Sequence, residues 1–324
     1  MVITVINPKN GYSLHLEGAN LVDIEGNVFP IINGVPRIAD LENYTENFGV
    51  QWNKFDKTQL DRLSDGLDLS SRRFYAETHW DQEDLLGKNI LEVGSGAGRF
   101  SKVILENTKG TLYSIDYSDA VTANFKNNSH IAPDRFQLFQ ASIYDMPFPD
   151  NSFDKVFCLG VLQHTPDVNA SIRALVNKAK PNGEIVLDFY PINGWWTRIN
   201  AKYILRPITK KMTHENLFRL IENNINWLIR VSIMLKNIGL GVLTRFLPVV
   251  DLRTMPTSGL SAEQFREWVI LDTFDMFSPA HDHPQKIEDV AAMLEVNGVT
   301  VTFAGFEEFG QGFRAAVVRG IKRK

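Results

Sequence analysis

The chain has 324 residues, 44% of them hydrophobic and 22% charged, with a formal net charge of −4 and a pI near 6.0. That suits one large globular domain or one domain with appendages, and it excludes a disordered or fibrous chain. The acidic balance argues against a nucleic-acid-binding surface. A single cysteine, Cys158, excludes an internal disulfide and a cysteine-built metal centre.

Residues 1–40 read as a small β module: VITVI, a turn at Asn7–Gly11, then a stretch punctuated by Gly26, Pro30, Gly34 and Pro36. The N-terminus lacks the charged region and long apolar run of a secretion signal, which fits a cytoplasmic location. Residues 41–88 read as a helical extension with interleaved aromatics, among them Tyr44, Phe48, Trp52 and Phe74. Residues 89–190 alternate strand and helix. NILEVG, GTLYSID, RFQLFQAS, FDKVFCLG and GEIVLDFY are five apolar strands, and a helix follows the first from Arg99 to Asn107. The helix after the fourth strand carries the buried stripe Val168, Ile172, Leu175, Val176 and Ala179, with Thr165 as its expected cap.

Residues 191–283 interrupt the alternation, and Leu217, Leu220, Ile221, Ile225, Leu228 and Ile229 recur there at helical spacing. The insertion reads as a helical cap on the core. Its apolar stretch 216–250 with Arg230, Lys236 and Arg245 also fits a helix lying on a membrane surface. Nowhere do 18 uncharged apolar residues follow one another, so no membrane span is expected. In 284–324, Pro284 opens a helix, and VTVTFAG and FRAAVVRGI form a hairpin. Strands alternating with helices imply parallel βαβ units. The expected fold is a Rossmann-like α/β sheet of seven strands, the last antiparallel, with the β module and the cap appended.

The chemistry gathers at strand ends. Glu92-Val93-Gly94-Ser95-Gly96-Ala97-Gly98 is a strand running into glycines and then a helix, a turn where a ligand meets bare backbone. Nicotinamide and flavin dinucleotide proteins use the same device, but with the spacing G-x-G-x-x-G. Here the spacing is G-x-G-x-G, and the Glu92 carboxylate would repel a pyrophosphate. Asp116, at the end of the second strand with Tyr117 beside it, can accept two ribose hydroxyls.

From Ser142 the segment Ser142-Ile143-Tyr144-Asp145-Met146-Pro147-Phe148-Pro149, with Asn151-Ser152-Phe153-Asp154, resembles the class I S-adenosylmethionine (SAM)-dependent methyltransferases, in particular the methyltransferase type 11-like group that includes the quinone-biosynthesis enzymes. Leu159-Gly160-Val161-Leu162-Gln163-His164 and Ala179-Lys180-Pro181-Asn182-Gly183 are similar to the same family's later motifs. The resemblance spans about residues 85–190 plus the final helix and hairpin. It implies SAM as cofactor, held by Glu92, Gly94, Ser95, Gly96, Gly98, Asp116, Tyr117, Ser142, Ile143 and Leu159. Ser142 stands where the family has an acid for the adenine amino group. The residues after Leu159 would face the methyl acceptor, which makes His164 the candidate general base; its plainer role is to shape the pocket or cap the next helix.

Tyr190, Trp195 and Trp196 follow the fifth strand at the edge where such sheets bind ligands, as substrate-stacking candidates or as a hydrophobic seal. His281-Asp282-His283 reads as a loop whose His281 lines the pocket, and no metal site is expected. Asn7-Pro8-Lys9-Asn10 and the region of Val22 and Glu25 resemble a zinc ribbon found fused to some methyltransferases, with no cysteine at the four ligand positions. The expected activity is methyl transfer to a small-molecule acceptor, with no nucleic-acid partner, and with contact to a membrane surface left open, as is the oligomeric state. Three other readings stand beside it: a macromolecule methyltransferase, an NAD-dependent oxidoreductase and a non-catalytic protein that retains the fold.

Overall fold

The computed structural model describes residues 3–39, 43–62, 64, 66–255, 259–310 and 312–324. Its centre is the expected sheet. β5 (Asn89–Val93), β6 (Thr111–Asp116), β7 (Phe136–Gln140), β8 (Phe153–Cys158) and β9 (Ala179–Phe189) are parallel; β10 (Val299–Glu308) and β11 (Arg314–Lys322) complete the order β10-β11-β9-β8-β5-β6-β7. β11 runs antiparallel to both neighbours, with Val318 opposite Leu187 and Ala304. The inner strands are continuous apolar runs because helices cover both faces. Thus Ile90, Leu91 and Val93 are all buried, on two different core clusters. The chain leaves β5 in one direction through β6 and returns to its other side as β8. That reversal opens a crevice at the carboxyl ends of β5 and β8, where a ligand is expected in an open α/β sheet.

Two helix starts differ from expectation. The helix after β8 spans Val168–Lys178, and Asp167, not Thr165, accepts from the Ala170 amide as its cap. Thr165 Oγ1 instead donates to the Leu162 carbonyl within a single 3₁₀ turn. The helix before β10 begins at Ile287, three residues beyond Pro284.

The N-terminal module is a four-stranded antiparallel meander: β1 (His15–Glu17), β2 (Asn20–Val22), β3 (Val28–Ile32) and β4 (Val35–Pro36). In the expected VITVI strand, Val2 lies outside the described residues, and Ile6 forms an isolated bridge to Ser13 while its amide donates to the Pro147 carbonyl. Asn10 does reach Glu25, its amide donating to Oε2 at 3.0 Å, but the centre of the cluster is Asp23 rather than Val22. Asp23 accepts from the side-chain amides of Asn7 at 2.7 Å and Asn10 at 2.9 Å, and from Asn27. Desolvation acts to raise its pKa, yet the amides of Asn7, Asn10 and Asn27 hold the carboxyl well below the usual range. Hydrogen bonds therefore tie the two turns together where a ribbon uses a metal. Among the described residues, no three His, Cys, Asp or Glu side chains converge on a cation site. Arg37 docks the module on the β7 edge, with Nη1 donating to Asp119 and Gln140 and Nη2 to Thr122.

Two short helices, α1 (Glu46–Lys54) and α2 (Leu69–Thr78), precede the sheet; α3 (Arg99–Asn107) follows β5 and α4 (Val121–Asn128) follows β6. With the post-β8 helix as α5, the insertion contributes α6 (Ala201–Thr209), α7 (His214–Asn237) and α8 (Ala262–Phe277). Leu217, Phe218, Ile221, Ile225 and Leu228 of α7 pack on Trp268, Leu271 and Phe274 of α8, with Phe55 from the end of α1. Leu220, expected in that buried stripe, points outward instead.

Candidate active site

A cavity of about 520 Å³ lies at the carboxyl ends of β5, β6, β8 and β9. This is within the ordinary range for a cofactor-sized ligand, roughly 300–1,000 Å³. One side is floored by the glycine turn, Asp116, Tyr117, Ile143 and Leu159; the other is walled by Arg73, Arg99, His164, Asp188, Tyr190 and Asp272.

Gly94, Gly96 and Gly98 take φ of +83°, +53° and +85°, which disfavours side chains at all three. The neighbours explain more. A Cβ on Gly94 would sit 2.2 Å from Val161, and one on Gly98 2.1 Å from Asn124 Oδ1, so both are dictated by packing against the turn. Gly96 faces the cavity side, where a Cβ would lie 3.2 Å from the Trp52 indole of α1. The turn's amides are already committed: Gly94 N and Ser95 N donate to the Ile115 carbonyl, Gly96 N to Asp116 Oδ2 and Gly98 N to the Ser95 carbonyl. A pyrophosphate would find few free donors here. This corrects the expected role of Glu92. Its carboxylate lies behind the turn, outside the cavity lining, accepting from Ser101 and Ser114 hydroxyls. Burial pushes its pKa up to about 7, so near neutral pH it is only partly ionised.

Asp116 Oδ1 accepts from Ser118 N and Oγ, and Oδ2 from Gly96 N. Three of the carboxylate's roughly four lone-pair sites are therefore taken, and the one left, on Oδ2, suits one ribose hydroxyl rather than the two expected. Burial raises the Asp116 pKa, against the pull of these hydrogen bonds. Tyr117 lines the cavity with its ring 5.3 Å from that of Tyr44. Ile143 and Leu159 line it with apolar surface. Ser142 and Gly98 do not line it; the Ser142 hydroxyl accepts from the Tyr144 amide. Among the described residues, two buried side-chain polar atoms on the lining have no protein partner, Ser95 Oγ and Gln51 Oε1. A donor-bearing cofactor would satisfy both, and buried polar atoms left unpaired are costly. The residues present therefore fit the ammonium and hydroxyl groups of SAM.

The opposite wall holds residues that the sequence alone did not bring together. His164 Nδ1 lies 3.2 Å from the His281 carbonyl oxygen, an acceptor only, so Nδ1 carries the proton and Nε2 the lone pair. Nε2 is 4.0 Å from Asp275 Oδ2, which also accepts from the Tyr190 hydroxyl at 3.0 Å. Burial lowers the His164 pKa, favouring the neutral ring. Arg73 pairs with Asp188 and Glu77. Arg99 donates to Gln59, which donates onward to Asp272. Burial, with Arg73 close by, depresses Arg99 to about 10, and burial, with Asp275 close by, lifts Asp272 to about 7. The Nη2 atoms of Arg73 and Arg99 flank Gly160 at the end of β8, each about 4 Å from where its Cβ would be.

Tyr190 lines the cavity, whereas Trp195 and Trp196 stack on each other 3.9 Å apart, outside the lining and exposed. They leave the sheet on a turn that carries them past the crevice. His281 also stays outside the lining: its backbone, not its imidazole, reaches the site, while its ring packs edge-on to Tyr44 and stacks on His283. The signal for the missed residues was slight. Asp272 and Asp275 are acids interrupting an otherwise apolar run in α8, and Arg73 is one of two adjacent arginines in a polar helix.

Residues 91–187 match the family described as Methyltransferase domain. The tRNA U34 carboxymethyltransferase of Nautilia profundicola is 30% identical over 111 residues, which are 34% of this chain and 37% of that protein. The ubiquinone/menaquinone biosynthesis C-methyltransferase UbiE of Rickettsia prowazekii is 29% identical over 168 residues, covering 45% of this chain and 67% of that one. The chain thus spans little more than a third of the first relative's length. Among solved structures, a chain from the complex of the Haloferax volcanii Trm112 methyltransferase activator with a methyltransferase superposes with a TM-score of 0.50 at 10% identity, over 88% of this chain and 98% of that one. That likeness is one of fold. With the strand order, the glycine turn and the ordered motifs, these matches make the segment 91–187, built on β5–β9, a methyltransferase domain of the class I, SAM-dependent kind.

Proposed function

We propose that the chain transfers the methyl group of SAM to a small-molecule acceptor held between His164, Tyr190 and α8. The observation that carries this reading is the continuity of one cavity from Asp116 and the glycine turn to the His164–Asp275–Tyr190 group. SAM supplies an electrophilic methyl on a sulfonium, whose neutral thioether leaves readily. On the cofactor side, Asp116 is assigned to the ribose, and an apolar surface to the adenine.

 

Ile143 and Leu159 supply that apolar surface, and the guanidinium groups of Arg73 and Arg99 are assigned to the methionine carboxylate. His164, neutral and with Nε2 unprotonated, takes the proton of an acceptor hydroxyl or amine, and Asp275 stabilises the imidazolium that forms. The remaining contribution is positioning for in-line attack, an effect worth roughly 7–11 kcal/mol when geometry is well held.

A second reading has its own support. Several relatives are named tRNA U34 carboxymethyltransferase, which supports a tRNA acceptor. Incubation with methyl-labelled SAM, beside a small-molecule extract and unfractionated tRNA in separate reactions, distinguishes the two. Label in small solutes supports the first reading; label that precipitates with RNA replaces it with the second.

A further inference from the structure

The cap has two apolar faces, and the protein core accounts for only one. On α7 the inner stripe packs on α8, but Leu220, Trp227, Val231, Met234 and Ile238 recur at spacings of seven, four, three and four residues on the opposite side. All but Val231 are exposed, with Ile238 60% accessible. The segment that follows adds Leu240, Val242, Leu243 and Phe246, also exposed. Arg245 joins it to the exposed Trp195–Trp196 pair by donating to the Trp196 and Ile199 carbonyls. Two residues one turn apart on α6, Ile204 and Ile208, are exposed as well. Exposed apolar area this extensive marks an interaction surface rather than ordinary scatter.

The charge of the same segment identifies the occupant. Residues 195–246 contain nine lysines and arginines against two acids, Glu215 and Glu222, a net +7 within a chain of net −4. Both acids are already paired, with Arg219 and Lys54. Arg198, Lys210, Lys211, Arg230 and Lys236 are exposed cations in the same segment. We infer that this outer face of the cap docks on an anionic lipid surface. Apolar and tryptophan side chains among lysine and arginine are what a helix in the plane of a bilayer interface requires. Among the described residues no helix is long and apolar enough to cross a membrane, so the contact is peripheral. A second copy of the chain fits poorly, because a two-fold interface would set this positive face against itself. RNA would be drawn by the cations but has no use for so many exposed aliphatic side chains.

The test is flotation of the full chain with phosphatidylcholine vesicles, with and without phosphatidylglycerol, at rising salt. Binding is expected to the anionic vesicles only, weakening with salt. The double variant Trp227→Glu/Met234→Glu should bind at least about ten-fold more weakly. It should keep its melting temperature and its affinity for S-adenosylhomocysteine, because both side chains lie outside the cavity and the core. Three results overturn the inference: a folded chain that ignores anionic vesicles, a double variant that binds them as well as the parent, or a solution dimer that the double variant dissolves. A fourth is retention of unfractionated tRNA, lost in Lys210→Glu/Lys211→Glu, without any vesicle binding. Because S-adenosylhomocysteine affinity is read separately, failure here is distinguishable from failure of the methyltransferase reading.

Discussion

The two sides of the cavity are built differently. The cofactor side is mostly backbone and comes from consecutive strand ends between Val93 and Leu159, so each residue's place follows from its distance along the chain. The acceptor side is mostly side chains from distant segments: His164 after β8, Tyr190 after β9, Asp272 and Asp275 on α8. The first side is constrained by what a sheet edge and a left-handed turn permit. The second is constrained only by what the cap brings near, and is free to change acceptor without disturbing the sheet.

The largest effect expected is on the fold. Gly94→Ala forces a side chain into the left-handed region against Val161, and should destabilise the chain by about 3 kcal/mol or more. Gly96→Ala meets only the Trp52 ring at 3.2 Å and should keep most of the stability, which a pair of urea titrations will compare. Equal losses at the two positions would mean that packing against the turn does not separate them.

On the acceptor side, His164→Asn should lower turnover by roughly 10²–10⁴-fold, as expected for removal of a general base. S-adenosylhomocysteine affinity should stay unchanged, since His164 faces the other wall. A fall in that affinity to match would merge the two sides into one binding unit. Normal turnover would leave His164 a shaping residue only.

Glu92 gives a smaller, pH-dependent effect. Its pKa of about 7 lies above the ordinary 4.5, so between those values the folded chain holds a proton that the unfolded chain has lost. Stability from this group is therefore highest near pH 4.5 and declines as the pH rises towards 7. Glu92→Gln removes the decline and should raise stability at pH 8 by up to about 3 kcal/mol, with little change at pH 5. Denaturant unfolding at the two pH values checks it; a variant equally destabilised at both would show that the ionised carboxylate is needed under the turn.

The contrast also explains what the sequence disclosed. The apolar runs of β5–β9, the G-x-G-x-G turn and Asp116 could be placed because strand, turn and helix leave local patterns. Glu92 was placed near the turn but on the wrong side, since spacing along a strand does not say which face binds ligand. Trp195, Trp196 and the His281 ring were drawn into the site by proximity to β9 and to the last helix, yet the chain's path carries them past it. Asp272, Asp275 and Arg73 had no local pattern to reveal them, because their meeting depends on how α8 and α2 pack over the sheet. Leu220 shows the same limit on α7, where helical spacing could not tell an inner from an outer apolar stripe.

The central claim is that the cofactor side binds SAM through Asp116. Calorimetric titration of the full chain and of Asp116→Ala with S-adenosylhomocysteine tests it directly. One site per chain is expected for the parent, and affinity about 10–100-fold weaker for the variant at an unchanged melting temperature. No binding by the folded parent, or equal affinity in the variant, would contradict it.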